Sequence, residues 1–136
     1  MGLLSFIQRR QRYRTASISI GGARLRALIA DTMLKRMIGL MYMDELAPNS
    51  CMLFTFDSDG KPGIWMRNMR FPIDILWLDS QKRVIDMFEN ARPCRGLTCK
   101  TMYPSRQARY VVETNLGFVK RRKLKIGAMV SFRISN

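Results

Sequence analysis

Residues 63–79 read Gly63-Ile-Trp-Met-Arg-Asn-Met-Arg-Phe-Pro-Ile-Asp-Ile-Leu-Trp-Leu-Asp79, a dense apolar run interrupted by two short polar side chains. A strand that only filled a core would rarely carry Asn68 and Asp74, because burying a polar group without partners costs a few kcal/mol. These groups therefore either build a local hydrogen-bond network or line a pocket. The nearby Trp65 favours a pocket, since binding sites combine apolar walls with a few convergent polar groups.

The composition indicates one globular domain without histidine chemistry. The chain has 136 residues, 47% of them hydrophobic, and no histidine, which is ordinary for a single domain with its own core. Lack of histidine excludes Ser–His and Cys–His catalysis and removes the commonest metal ligand. We therefore expect no metal site and no cofactor, and we favour a non-enzymatic protein over an enzyme.

The charge of +14 is concentrated towards the two ends of the chain. Residues 1–56 hold eight basic and three acidic side chains, residues 57–90 hold five and six, and residues 91–136 hold eleven and one. Such a field favours nucleic acid or an acidic membrane surface as a partner, although a merely solvated basic surface is the simpler alternative. The candidate anion-binding residues are Lys120, Arg121, Arg122, Lys123 and Lys125.

Residues 1–14 are expected to form a flexible basic extension ahead of a single domain at 15–136. The apolar start is short and precedes its arginines, the reverse of a secretory signal. No apolar run approaches the roughly 20 residues of a membrane span. We therefore expect a cytoplasmic protein, with peripheral attachment to a membrane through residues 1–14 as a further option.

Alternating apolar and polar residues predict a mainly β (α+β) fold. Segments 15–20 and 23–30 alternate around Gly21-Gly22, a hairpin signal. The periodicity along the rest of the chain predicts about eight strands in all, one short helix near residues 32–42 and a helical turn near residues 116–123. Many short strands with so little helix favour a compact β-sandwich or an irregular β-barrel.

The three cysteines differ in their surroundings. Cys51 lies in an apolar run and is most simply a small core residue. Cys94 and Cys99 lie five apart in a predicted loop, where they form either a disulfide or two free thiols. Two thiolates alone make a poor zinc site, since structural zinc takes four ligands.

The chain carries an ordered series of motifs: Gly39-Leu40-Met41, Met52-Leu53-Phe54-Thr55-Phe56, Trp65-Met66-Arg67-Asn68, Pro72, Asp74, Ala91-Arg-Pro93, Tyr103-Pro104, Ala108-Arg-Tyr-Val-Val-Glu113, Gly117-Phe118 and Gly127. Their order resembles the DUF192 family, also called UPF0127, a small prokaryotic domain of unknown function. The resemblance covers roughly residues 25–131 and implies a compact β-sandwich or barrel, but it implies no reaction, cofactor or ligand.

Four residues are the candidates for a ligand site: Trp65, Asn68, Asp74 and Glu113. Glu113 ends an apolar run and is the last acidic residue in the chain. If the fold brought Asp74 and Glu113 together, the pair could share a proton, as a carboxylate-based enzyme would require. The alternatives are that Asp74 caps a turn and that Glu113 pairs with an arginine. We expect a binding module for a small polar or anionic ligand, with nucleic-acid or membrane binding and a carboxylate enzyme as alternatives.

Overall fold

The computed structural model describes residues 2–134 of the chain. They form nine strands and three short helices in this order: α1 Leu3–Arg10, β1 Thr15–Ile20, β2 Ala23–Ala30, α2 Met33–Ile38, β3 Ser50–Gly60, β4 Ile64–Trp65, β5 Ile73–Leu78, β6 Val84–Ala91, β7 Thr101–Met102, β8 Ala108–Asn115, α3 Phe118–Arg121 and β9 Val130–Phe132. The mainly β fold predicted from the sequence is therefore confirmed.

Seven strands form one curled sheet in the order β6-β5-β8-β3-β2-β1-β9, and β4 pairs with β7 in a separate small sheet. The large sheet curls so that the beginnings of its two edge strands approach each other, since Arg83 and Met129 form an isolated bridge and the Val84 amide donates to the Ala128 carbonyl at 2.9 Å. The architecture is thus a half-barrel. All pairings in the large sheet are antiparallel except β2 with β3.

Each face of the curled sheet buries its own apolar cluster, because successive side chains of a strand point to opposite faces. The inner cluster fills the half-barrel and includes Ile18, Leu53, Leu76, Val112 and the buried thiol of Cys51. The outer cluster has members Met52, Phe54, Ile73, Ile75, Trp77 and Val111, joined by Leu40, Met66 and Met69 from outside the sheet. The segments that cover the outer face, residues 33–46 and 63–71, form the walls of a cleft.

Local structure departs from the sequence prediction at three places. The expected flexible extension instead contains helix α1, whose Gln8 is buried. Helix α2 is shorter than residues 32–42 because Gly39 takes a φ of 50° and ends it. The sequence predicts a long loop over residues 89–104, but strand β6 extends to Ala91 and β7 lies at Thr101–Met102. The last two residues of the expected domain at 15–136 lie outside the described residues.

A cleft around Glu113

Glu113 lies on the central strand of the outer face. In the β8 register it stands opposite Met52 of β3 on one side and Ile75 of β5 on the other. Cross-strand partners share a face of the sheet, so its carboxyl group is surrounded by the outer apolar cluster. Only 4% of the residue is exposed.

A cleft of about 140 Å³ lies over this carboxyl group. One wall is the end of α2 and the turn that follows it, and the other is the segment that contains β4. The lining residues are Arg36, Met37, Ile38, Gly39, Leu40, Met41, Phe54, Gly63, Ile64, Trp65, Met69 and Glu113. Most of this surface is apolar, with Glu113 as the acidic group and Arg36 as the basic group.

No other described residue donates a hydrogen bond to the Glu113 carboxyl group or pairs with it, although the chain carries 24 basic side chains. Within residues 2–134, every fully enclosed side-chain oxygen or nitrogen has a hydrogen-bond partner. The Glu113 oxygens therefore reach the space of the cleft. Burial raises the pKa of Glu113 to about 8, because the apolar surroundings disfavour the charged form.

The resulting group is a carboxylic acid that stays largely protonated at neutral pH. In that form it offers one hydroxyl donor and retains acceptor capacity. A metal ion would need additional ligands, and within residues 2–134 no group of three or more Cys, Asp or Glu side chains is placed to hold one. The chemistry of the cleft is therefore hydrogen bonding by a neutral acid in apolar surroundings.

Helix α1 and Asn68 hold the walls of the cleft in place. The Gln8 amide Nε2 donates to the carbonyls of Gly39 and Met41, at 2.8 Å each. Asn68 links the two walls, because its carbonyl accepts from the Tyr42 amide at 2.9 Å and its Nδ2 contacts the Met41 sulfur at 3.8 Å. Asn68 takes a φ of 60°, a conformation that asparagine tolerates better than most residues.

The rim combines Trp65 with two arginines. Trp65 is 42% exposed, and the Arg67 guanidinium lies 5.7 Å from its ring centroid. Arg36 donates through Nη1 to the Thr55 carbonyl at 2.9 Å and lies over the Phe56 ring. Both cations therefore have contacts on the protein other than the Glu113 carboxyl group.

Asp74 lies on the inner face of the sheet, away from the cleft. It stands opposite Thr114, one residue beyond Glu113, so the two acids point to opposite faces. Both Asp74 oxygens accept main-chain amides, from Asn90 at 2.9 Å and from Val119 at 3.1 Å. The second bond ties helix α3 to the sheet, and the residue is fully buried. The carboxylate pair considered from the sequence is therefore not formed.

The basic run lies on helix α3 and the turn after it, and all five of its residues, Lys120, Arg121, Arg122, Lys123 and Lys125, are exposed. Helix α3 itself packs on the inner cluster through Phe118 and Val119. The basic run thus lies on an element that packs against the inner face of the sheet, whereas the cleft opens on the outer face.

Of the four candidate ligand-site residues, the structure brings Trp65 and Glu113 together in one cleft. It places Asn68 behind the cleft, where it links the two walls, and Asp74 on the other face of the sheet. Sequence reasoning missed Arg36, Phe54 and the Gly39-Leu40-Met41 turn as wall residues. The signal was present, since Gly39-Leu40-Met41 and Phe54 belong to the motifs that carry the family resemblance, but nothing local indicated that they face Glu113.

Comparison with known proteins identifies relatives over most of the chain. The profile of DUF192, described as an uncharacterized ACR, matches residues 16–132. A UPF0127 protein of Thermococcus gammatolerans is 33% identical over 109 residues, covering 79% of this chain and 66% of its own length. A UPF0127 protein of Thermococcus kodakarensis is 32% identical, covering 76% of this chain and 62% of its own length. The chain thus spans slightly less than two thirds of these curated relatives.

Two crystal structures share the fold. A proposed transcription regulator from Sinorhizobium meliloti superposes with a TM-score of 0.81 at 27% identity, covering 90% of this chain and 97% of the other. A protein of unknown function from Novosphingobium aromaticivorans gives a TM-score of 0.77 at 26% identity, covering 88% and 84%. Within residues 2–134, no helix is both long and apolar enough to cross a membrane.

Proposed function

Since the chain belongs to the DUF192 family, described only as an uncharacterized ACR, we propose its function from its own cleft: it is a binding module for a small, uncharged organic molecule. The observation that supports this is the Glu113 carboxyl group, buried under the cleft with no partner among residues 2–134. These oxygens reach the cleft and bond to no other described residue, so a ligand can exchange hydrogen bonds with them without displacing any bond of the fold. A hydrogen bond of this kind contributes about 0.5–1.5 kcal/mol net.

The size of the cleft suits a ligand with a compact body. A volume of about 140 Å³ is close to the roughly 150 Å³ apolar cavity that holds benzene in a well-studied engineered protein. The walls are apolar and aromatic, with Phe54 and Trp65 among them. We therefore infer a ligand with a ring-sized apolar body and one hydrogen-bonding group.

The protonation of Glu113 favours a neutral ligand over a charged one. An amine would have to ionise the carboxyl group and form an ion pair in apolar surroundings, where desolvation offsets much of the attraction. An acid would bring a second carboxyl group into the same apolar space, and burying an anion there is costly. A hydroxyl or an amide exchanges hydrogen bonds with the neutral acid without any burial of charge.

Three probes of equal body size test this assignment: benzyl alcohol, benzylamine and benzoate. We expect calorimetry at pH 6.5 to show benzyl alcohol binding best, with amide NMR shifts around the cleft. Glu113→Met keeps the length of the side chain but removes its hydrogen bond, so benzyl alcohol should bind about five- to tenfold more weakly. Glu113→Gln should retain most of the affinity.

The matched control is Glu89→Gln, because Glu89 is exposed and lies outside the cleft. It should bind benzyl alcohol as the wild type does. Equal affinity of the wild type and Glu113→Met, or NMR shifts located away from the cleft, would contradict the assignment. Preferential binding of benzylamine or benzoate would show that the cleft takes a charged ligand instead.

A second candidate function is binding to an anionic surface. The exposed run Lys120–Lys125 and the description of the Sinorhizobium relative as a proposed transcription regulator favour nucleic acid. Helix α1 exposes Leu3 and Phe6 on the same helix as Arg10, which favours the edge of an acidic membrane.

The two anionic partners are separated by their own mutants. Charge reversal at Lys120 and Arg122 should abolish binding to a random RNA oligonucleotide, and Leu3→Ser with Phe6→Ser should abolish binding to phosphatidylglycerol vesicles. Either interaction should weaken steeply between 20 and 150 mM salt, because it depends on released counterions or on a screened surface potential. Absence of binding at the lower salt concentration would exclude this function.

A further inference from the structure

Cys94 and Cys99 are joined by a disulfide that closes the loop between β6 and β7. The four residues between them, Arg95 to Thr98, are all exposed, and Leu97 at the tip is 97% exposed. The two cysteines themselves are partly exposed. A reductant can therefore approach this disulfide, whereas the remaining cysteine, Cys51, is buried in the core.

Both ends of the closed loop are attached to the β4 wall of the cleft. The Cys94 amide donates to the Met66 carbonyl at 3.0 Å, and Cys94 also forms an isolated bridge with Arg67. Two residues after Cys99, strand β7 begins, and its Thr101 pairs with Trp65. The disulfide thus joins the two points at which this loop pairs with the β4 wall.

Strand β7 also packs tightly against the wall. A Cβ atom added at Gly63 would lie 2.5 Å from the Thr101 methyl and 2.6 Å from the Tyr103 ring. The β4–β7 sheet has only two residue pairs, Ile64 with Met102 and Trp65 with Thr101. A pair of strands this short is barely stable alone. It is restrained by the packing of Ile64 and Met102 on the outer cluster and by the disulfide that closes the loop beside it.

We propose that the Cys94–Cys99 disulfide is a redox switch that sets the width of the Glu113 cleft; its effect on a ligand rests on the function proposed above. In the oxidised form the loop holds the Trp65 wall over Glu113. A dithiol partner of the thiol–disulfide oxidoreductase class supplies two electrons and two protons. The Cys94–Cys99 bond breaks, two thiols form, and the dithiol becomes a disulfide. The released loop then lets the wall open.

The test compares oxidised protein with protein reduced by dithiothreitol, using hydrogen exchange and benzyl alcohol binding. Reduction should speed exchange of the Cys94 amide, which donates to the Met66 carbonyl, by about tenfold, since short-loop closure constrains the open state by at least that factor. Benzyl alcohol affinity should fall by about three- to tenfold. Exchange at Leu53 and Val112, in the inner cluster, should not change.

The double variant Cys94→Ser and Cys99→Ser is the matched control. It should behave as the reduced wild type and should not respond to dithiothreitol, which excludes an effect through Cys51. Unchanged exchange at the amide of residue 94, a change that extends equally to Leu53, or equal benzyl alcohol affinity of both redox forms would overturn the proposal. If reduction speeds hydrogen exchange at the amide of residue 94 but the oxidised protein binds none of the probes, the proposed ligand function is overturned. The coupling of the disulfide to the position of the wall would then still stand.

Discussion

Replacement of Glu113 by glutamine should make the protein less sensitive to pH. Burial raises the pKa of Glu113 from an ordinary value of 4.5 to about 8. Between these values the folded state keeps a proton that the unfolded state releases. Folding is therefore favoured by the protonated acid at low pH, and the free energy of unfolding falls as pH rises towards 8.

The magnitude follows from the size of that shift. One pKa unit corresponds to about 1.4 kcal/mol, so the wild type should lose roughly 3 kcal/mol of stability between pH 5 and pH 8 through this group. Glutamine is close in shape to the neutral acid and does not titrate. The advantage of Glu113→Gln over the wild type should therefore grow by roughly 3 kcal/mol across the same range.

Urea unfolding at half-unit steps of pH measures this difference. The chain has no histidine, so no other side chain with an ordinary pKa titrates in this window. The α-amino group does so, but it cancels between the variants. Glu89→Gln, at an exposed acid, should run parallel to the wild type. If Glu113→Gln also ran parallel to the wild type from pH 5 to pH 8, the carboxyl group would not be buried as a neutral acid.

Three further substitutions test the supports of the fold and the cleft. Asp74→Asn should lower the free energy of unfolding in urea by about 3 kcal/mol, because it sets an amide N–H group against a main-chain donor. The exposed control Asp44→Asn should change it little, and equal effects of the two would refute the buried network. Gln8→Ala should cost about 1–3 kcal/mol and speed exchange in helix α1, and Gln11→Ala should not; a neutral Gln8→Ala would show that the helix is not anchored there. Gly63→Ala should destabilise the protein by about 1–3 kcal/mol through its clash with β7, and unchanged stability would show that the wall is loosely packed.

The sequence alone determined the class of fold and part of the site. Alternation of apolar residues indicated the strands, and Gly21-Gly22 indicated the β1–β2 hairpin that the structure contains, because both signals depend on neighbours in the chain. The same local reasoning selected Trp65 and Glu113, since an aromatic ring and a carboxylate in apolar runs are unusual wherever those runs pack. It also indicated the family through the order of its motifs.

The tertiary structure decided which of these residues act together. Asp74 and Glu113 looked equivalent in sequence, but the register of β5 against β8 places them on opposite faces. The docking of Gln8 against residues 39–41 links points more than 30 residues apart. A strand pattern states which side chains of one strand share a face, but which strands pair, and in which register, depends on contacts distant along the chain. That register is what leaves one acid satisfied by main-chain amides and the other open to a cleft.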